Sequence, residues 1–142
     1  MTKIISTLFL LLMPVYNASN PVTLSPGTVV QVWSAETPTP GSGTTAASQQ
    51  VTLVCGVNKT GCPFGVDGKF SGAPGTFEVD VQVASTDSDT SYQTVANGNI
   101  STVDSTNNTF HFDGSLTTAK YARLLLRTRT NSVSITATFT GG

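Results

Sequence analysis

TFEVDVQVA, residues 76–84, places Phe77, Val79, Val81 and Val83 at every second position, with Glu78, Asp80 and Gln82 between them. A period of two sends alternate side chains to opposite faces of an extended strand, so this stretch reads as a β-strand with one dry and one wet face. The same alternation returns in NTFHFD (108–113), with Phe110 and Phe112 on one side, and in SVSITATFT (132–140), with Val133, Ile135, Ala137 and Phe139 together. VTLSPGTVVQVW (22–33), QVTLVCG (50–56), a short segment around Val66 and Phe70, and AKYARLLLRTRT (119–130) supply further strands. Turn signals punctuate them at Ser25-Pro26-Gly27, Ala73-Pro74-Gly75 and Thr130–Ser132. Asn97-Gly98 is read as a two-residue hairpin turn between strands 91–96 and 99–103, and Gly68 as a bulge. About eight to ten mostly antiparallel strands with no helical period predict an all-β fold, an antiparallel β-sandwich with the jelly roll among its variants.

Composition agrees with that class. The chain has 142 residues, about one domain. Charged residues are only 11%, against a typical ~25%, while 24 Thr and 15 Ser supply the polar surface. Thr is β-branched and suits a pleated face rather than a long helix. A net charge of −1 with seven Lys and Arg lacks the footprint that phosphate backbones require, so no nucleic-acid partner is expected. One His and two Cys are too few for an ordinary zinc site, and no catalytic or phosphate-binding motif occurs. No metal and no cofactor are expected.

Four segments organise the chain: residues 1–20, 21–33, 34–50 and 51–142. In the first, IISTLFLLLMPV (4–15) is an apolar run of 12 residues behind Lys3, shorter than the ~20 needed to span a bilayer. It matches the apolar core of a secretory signal peptide, with Ala18 as the last residue before cleavage, or else forms an N-terminal arm. Residues 21–33 hold the N-terminal strands. SAETPTPGSGTTAASQQ (34–50) is rich in chain breakers and reads as a loop or linker. Residues 51–142 form the sandwich core.

Several side chains qualify for chemistry or contact. Cys55 and Cys62 bracket GVNKTG; bridged, they close a ring worth ~2.5 kcal/mol by loop entropy, as expected in an oxidising compartment and not in a reducing one. Arg123, Arg127 and Arg129 share strand parity, as do Glu78 and Asp80, so a basic row and an acidic row are expected to salt-bridge or to meet a neighbouring subunit. Asp87 and Asp89 fall in a Ser/Thr-rich turn, where Asp bonds its own backbone; calcium there needs more oxygens than two carboxylates supply. Opposed catalytic acids need a cleft rather than one turn. His111 reads as a surface residue. Trp33, Tyr92 and Tyr121 read as core or edge packing, with sugar stacking as the alternative. Sequons at Asn17, Asn58, Asn99 and Asn107 matter only in a eukaryotic secretory pathway.

GAPGTFEVDVQVASTDSDTSY (72–92) followed by AKYARLLLRTRTNSVSITATF (119–139) resembles a class of small virion-associated proteins of tailed phages and prophages, over roughly residues 64 to 140. The shared features are a Gly-Ala-Pro-Gly turn, an F-E-x-D-x-Q strand, an Asp-rich turn and a closing strand pair. The resemblance implies a non-enzymatic structural protein of the virion, a decoration, fibre or tail accessory subunit, that meets copies of itself or other virion proteins. It implies no catalytic residues. The N-terminal run and the cysteine pair favour a different class, a secreted or cell-surface β-sandwich module that binds carbohydrate or mediates adhesion.

Overall fold

A computed structural model describes residues 20–57, 60–114 and 117–142. Nine strands run through them: β1 Val22–Leu24, β2 Val29–Glu36, β3 Val51–Leu53, β4 Phe64–Phe70, β5 Phe77–Ala84, β6 Gln93–Ile100, β7 Thr109–Asp113, β8 Tyr121–Arg129 and β9 Ile135–Gly141. Helical structure among the described residues amounts to two single 3₁₀ turns, Thr44–Ala46 and Asp89–Ser91. None is long and apolar enough to cross a membrane. Residues 1–19 of the expected signal-peptide or arm segment, 1–20, lie outside the described residues, as do the sequons at Asn17 and Asn58.

The strands form two sheets, β1-β3-β8-β5-β6 and β2-β9-β4-β7. Pairing is antiparallel except for β1 beside β3. The antiparallel pairs nest: β5 with β6, β4 with β7, β3 with β8 and β2 with β9. Folding such a nest of paired strands over on itself gives the strand order of a jelly roll, with β1 added at one edge. The sheets face each other across one apolar core. Alternation decides which residues enter it. In β4, Phe64, Val66, Gly68 and Phe70 are buried, and in β9 Ile135, Ala137, Phe139 and Gly141. Aromatic rings fill the middle, with Phe70 edge-on to Phe77 at 4.9 Å between centroids and Phe64 against Phe139 at 5.6 Å. Trp33 is fully buried among them.

Residues 34–50 behave differently from the linker expected of them. Ser34–Glu36 complete β2, and the rest packs along β8. The Gly41 amide donates to the Leu126 carbonyl and the Ser48 amide to that of Leu124, while the Ser48 hydroxyl accepts from the Leu124 amide. Ala46, Ala47, Ser48 and Gln50 are buried, with Ala46 and Ala47 covering Leu125. Small Ala and Ser side chains allow the backbone to approach a neighbouring strand; the surrounding Pro and Gly masked that in the sequence. With β1 on β3 and β2 on β9, residues 21–33 belong to the same two sheets as the remainder.

Two glycines also differ from expectation. Asn97-Gly98 lies inside β6, where six residues of β6 (Thr94 to Asn99) lie opposite only three of β5 (Gln82 to Asp80). Asn97 takes a left-handed backbone, φ 59°, and a Cβ on Gly98 would sit 2.9 Å from the Val81 carbonyl oxygen. The pair therefore builds a bulge within one strand rather than the turn between two. Gly68, in turn, keeps regular register with Phe110 and Ala137. Its missing side chain leaves room for the Phe110 ring, which a Cβ would strike.

Candidate functional site

Both outer faces carry polar clusters. On the face of β5, β6 and β8, Asp80 is outward by parity yet only 2% exposed, because three donors close over it. Arg127 Nε donates to its Oδ2 at 2.5 Å and Thr94 Oγ1 to the same oxygen at 3.1 Å, while Asn99 Nδ2 donates to Oδ1 at 2.8 Å. The carboxylate beside it holds the Arg127 guanidinium above its ordinary range, through the hydrogen bond first and charge second. Asn99 also bonds Glu78.

Arg123, one turn of the pleat away, is buried to the same degree. Its Nε donates to Gln82 Oε1 at 2.9 Å and its Nη1 to Asp89 Oδ1 at 2.6 Å, and the guanidinium lies 4.0 Å from the centre of the Tyr92 ring. Tyr92 in turn donates to Asp87 Oδ1 at 2.8 Å. Burial, reinforced by that hydrogen bond, drives the phenol well above its usual range. Asp87 and Asp89 thus face side chains, Tyr92 and Arg123, rather than the turn backbone the sequence predicted for them.

The expected acidic and basic rows do not form. One pair of opposite charges from them meets, Asp80 with Arg127. Arg127 has no register partner on β5, since Glu78 pairs with Thr128 and Val79 with Leu126. That bulge reverses the alternation, and Arg129 falls opposite the inward-facing Phe77. Its Nη1 and Nη2 donate to the carbonyls of Val133 and Pro38, at 2.7 and 3.3 Å, and burial alone lowers its affinity for the proton. Burial likewise raises Glu36. Cys55 and Cys62 are joined in a disulfide.

On the opposite face, sequence reasoning missed a second cluster. Asp67 of β4 stands in register with His111 of β7. His111 Nδ1 lies 2.6 Å from Asp67 Oδ1 and Nε2 lies 2.9 Å from Asp113 Oδ1. The two carboxylates, Asp67 foremost, raise the imidazole above its ordinary pKa. Lys69 lies further along β4, and the Thr102–Asp104 loop rises beside it to wall a groove of about 630 Å³. Asp104 itself is committed to its own turn, accepting from the Thr106 amide and Asn107 Nδ2, which lowers its carboxyl.

Comparison with family models, curated proteins and solved structures returns no match. Chemistry must therefore be argued from the side chains. Seven of the eight carboxylates (all but Glu36) bond a group from within the chain. Among the described residues no three His, Cys, Asp or Glu converge as metal ligands. Trp33 is in the core and Tyr92 is 8% exposed beneath Arg123. Only Tyr121, half-buried and with the Lys120 ammonium 5.3 Å from its ring centre, remains near the surface of the three aromatics. A stacking platform for sugars is not built from them.

Proposed function

We propose that this chain is a non-enzymatic structural subunit of a phage particle, a decoration, fibre or tail accessory protein that acts by subunit contacts. The observation that carries the reading is the commitment of the charged groups. Seven of the eight carboxylates bond partners within the chain, and Thr and Ser supply much of the polar surface around them. A face of that kind packs against protein without stripping water from unpaired charges, which is the cost that burial in an assembly otherwise incurs. The nested strand order supports it as well, since jelly rolls recur in capsid domains; they recur equally in lectins, and a fold alone does not name a function. Repeated copies in a particle require closed or propagating symmetric contacts, so the test is the assembly state of the full chain by light scattering after size exclusion.

A second reading is favoured by the Cys55–Cys62 bridge, which belongs to oxidising compartments: a secreted or cell-surface module that binds carbohydrate. Together with the apolar run at residues 4–15, it predicts loss of the first 18 residues from the mature protein. Intact mass after expression with export competence decides this point. Retention of residues 1–18 removes the secreted reading, and their loss removes the simple virion one.

A further inference from the structure

The groove on the outer face of β4, β7 and β9 lies apart from the Asp80 and Arg123 networks, and the Asp67–His111 pair forms part of its floor. Its volume, about 630 Å³, falls in the ~300–1,000 Å³ span of small-molecule sites. Its floor is the outward row of three adjacent strands: Asp67 stands in register with both His111 and Thr138, and Lys69 with both Thr109 and Thr136. Some of these groups are fixed and others are free. His111 is held from both sides by Asp67 and Asp113, so its half-exposed ring cannot turn. Lys69 makes no ion pair among the described residues. Asp67 uses one oxygen on His111 and keeps the other.

We propose that this groove binds a neutral polyhydroxylated ring, a hexose or N-acetylhexosamine unit of a glycan, between Lys69, Asp67, His111 and the hydroxyls of Thr109 and Thr138. A sugar hydroxyl donates and accepts at once, and this lining offers both: a pure donor at Lys69, a pure acceptor at the free Asp67 oxygen, and hydroxyls that do either. Acids outnumber bases around it, with Asp67, Asp104 and Asp113 against Lys69 and His111, so a phosphate or uronate is repelled. An apolar ligand would strand the polar floor without partners. Amine ligands need converging free carboxylates, but Asp104 and Asp113 are engaged by Asn107 and His111. The inference rests on the binding-module reading for its ligand class only; mature mass tests that reading without reference to the groove.

The test is an amide NMR titration of the isotope-labelled full chain with glucose, galactose, mannose and N-acetylglucosamine, with glucuronic acid alongside. Saturable shifts confined to residues 67–69, 102–104, 109–111 and 136–138 are expected for one or more neutral sugars, and weaker ones for the uronate. Lys69→Met is expected to weaken binding about tenfold, a loss of about 1.4 kcal/mol. Thr138→Val, on another strand, is expected to act in the same direction without touching the His111 contacts. No saturable shift with any neutral sugar overturns the proposal, as does preference for glucuronic acid. Unchanged binding in both variants overturns it too.

Discussion

Asp80 carries a carboxylate that is 2% exposed, and Arg127, whose side chain is 45% exposed, reaches down to it at 2.5 Å. The pair is therefore asymmetric, with the anion desolvated and the cation still in contact with water. Breaking a fully buried pair costs ~3–5 kcal/mol. Here Thr94 and Asn99 continue to serve Asp80 after Arg127 is removed, so Arg127→Met is expected to destabilise by ~1–3 kcal/mol. Urea unfolding should show a lower midpoint with an unchanged slope. A loss below ~0.5 kcal/mol would place the pair among surface bridges of little worth.

Arg123 is the reverse case, a buried cation with an exposed acid, Asp89, at 46%. Its planar group is used three ways, on Gln82, on Asp89 and over Tyr92. Lysine offers neither the fork nor the flat face. Arg123→Lys is expected to cost ~1–3 kcal/mol despite keeping the charge, with a change in the near-ultraviolet dichroism of Tyr92. Wild-type stability and spectrum in that variant would contradict the assignment.

Ser48 tests whether residues 34–50 belong to the fold. Fully buried, its hydroxyl accepts from the Leu124 amide at 2.9 Å. Ser48→Ala leaves that amide without its partner and should cost ~1–3 kcal/mol. A free loop would show no more than ~0.5 kcal/mol for the same change.

His111 gives the chain a pH response whose direction is fixed. Its folded pKa is raised by Asp67 and Asp113 above an unfolded value of about 6.5. The stabilisation is thus complete below about 6.5 and is lost as pH rises through the folded value. The amplitude is small because the ring is 55% exposed. Wild type should lose stability relative to His111→Gln on going from mildly acidic to alkaline buffer, read as melting temperature. Parallel curves for the two proteins would contradict the clip.

How far these features can be read in the sequence follows from the range of the interactions behind them. Alternation in 76–84 and 132–140 is local, set by one strand's pleat, and it delivers the sandwich and the outward positions of Glu78, Asp80 and Gln82. The cysteine bridge was legible for the same reason, since its ends lie seven residues apart. The Asp67–His111 pair joins residues 44 apart and Ser48–Leu124 joins residues 76 apart. Neither can be seen until the order of strands is known. Parity also fails wherever a bulge intervenes. Arg127 interrupts β8 against β5, and everything deduced for Arg129 by counting twos came out on the wrong side. Asn97-Gly98 misled in a related way, because the left-handed geometry that favours a hairpin turn serves a bulge equally well.

Assembly is the most direct measure of the proposed role. Sedimentation velocity on the full chain, over a wide concentration range at moderate salt, is expected to show a discrete oligomer that persists on dilution, with a mass that is a whole multiple of 14.7 kDa. A single species at the monomer mass across the whole range would contradict a subunit that works by contacts with its own copies.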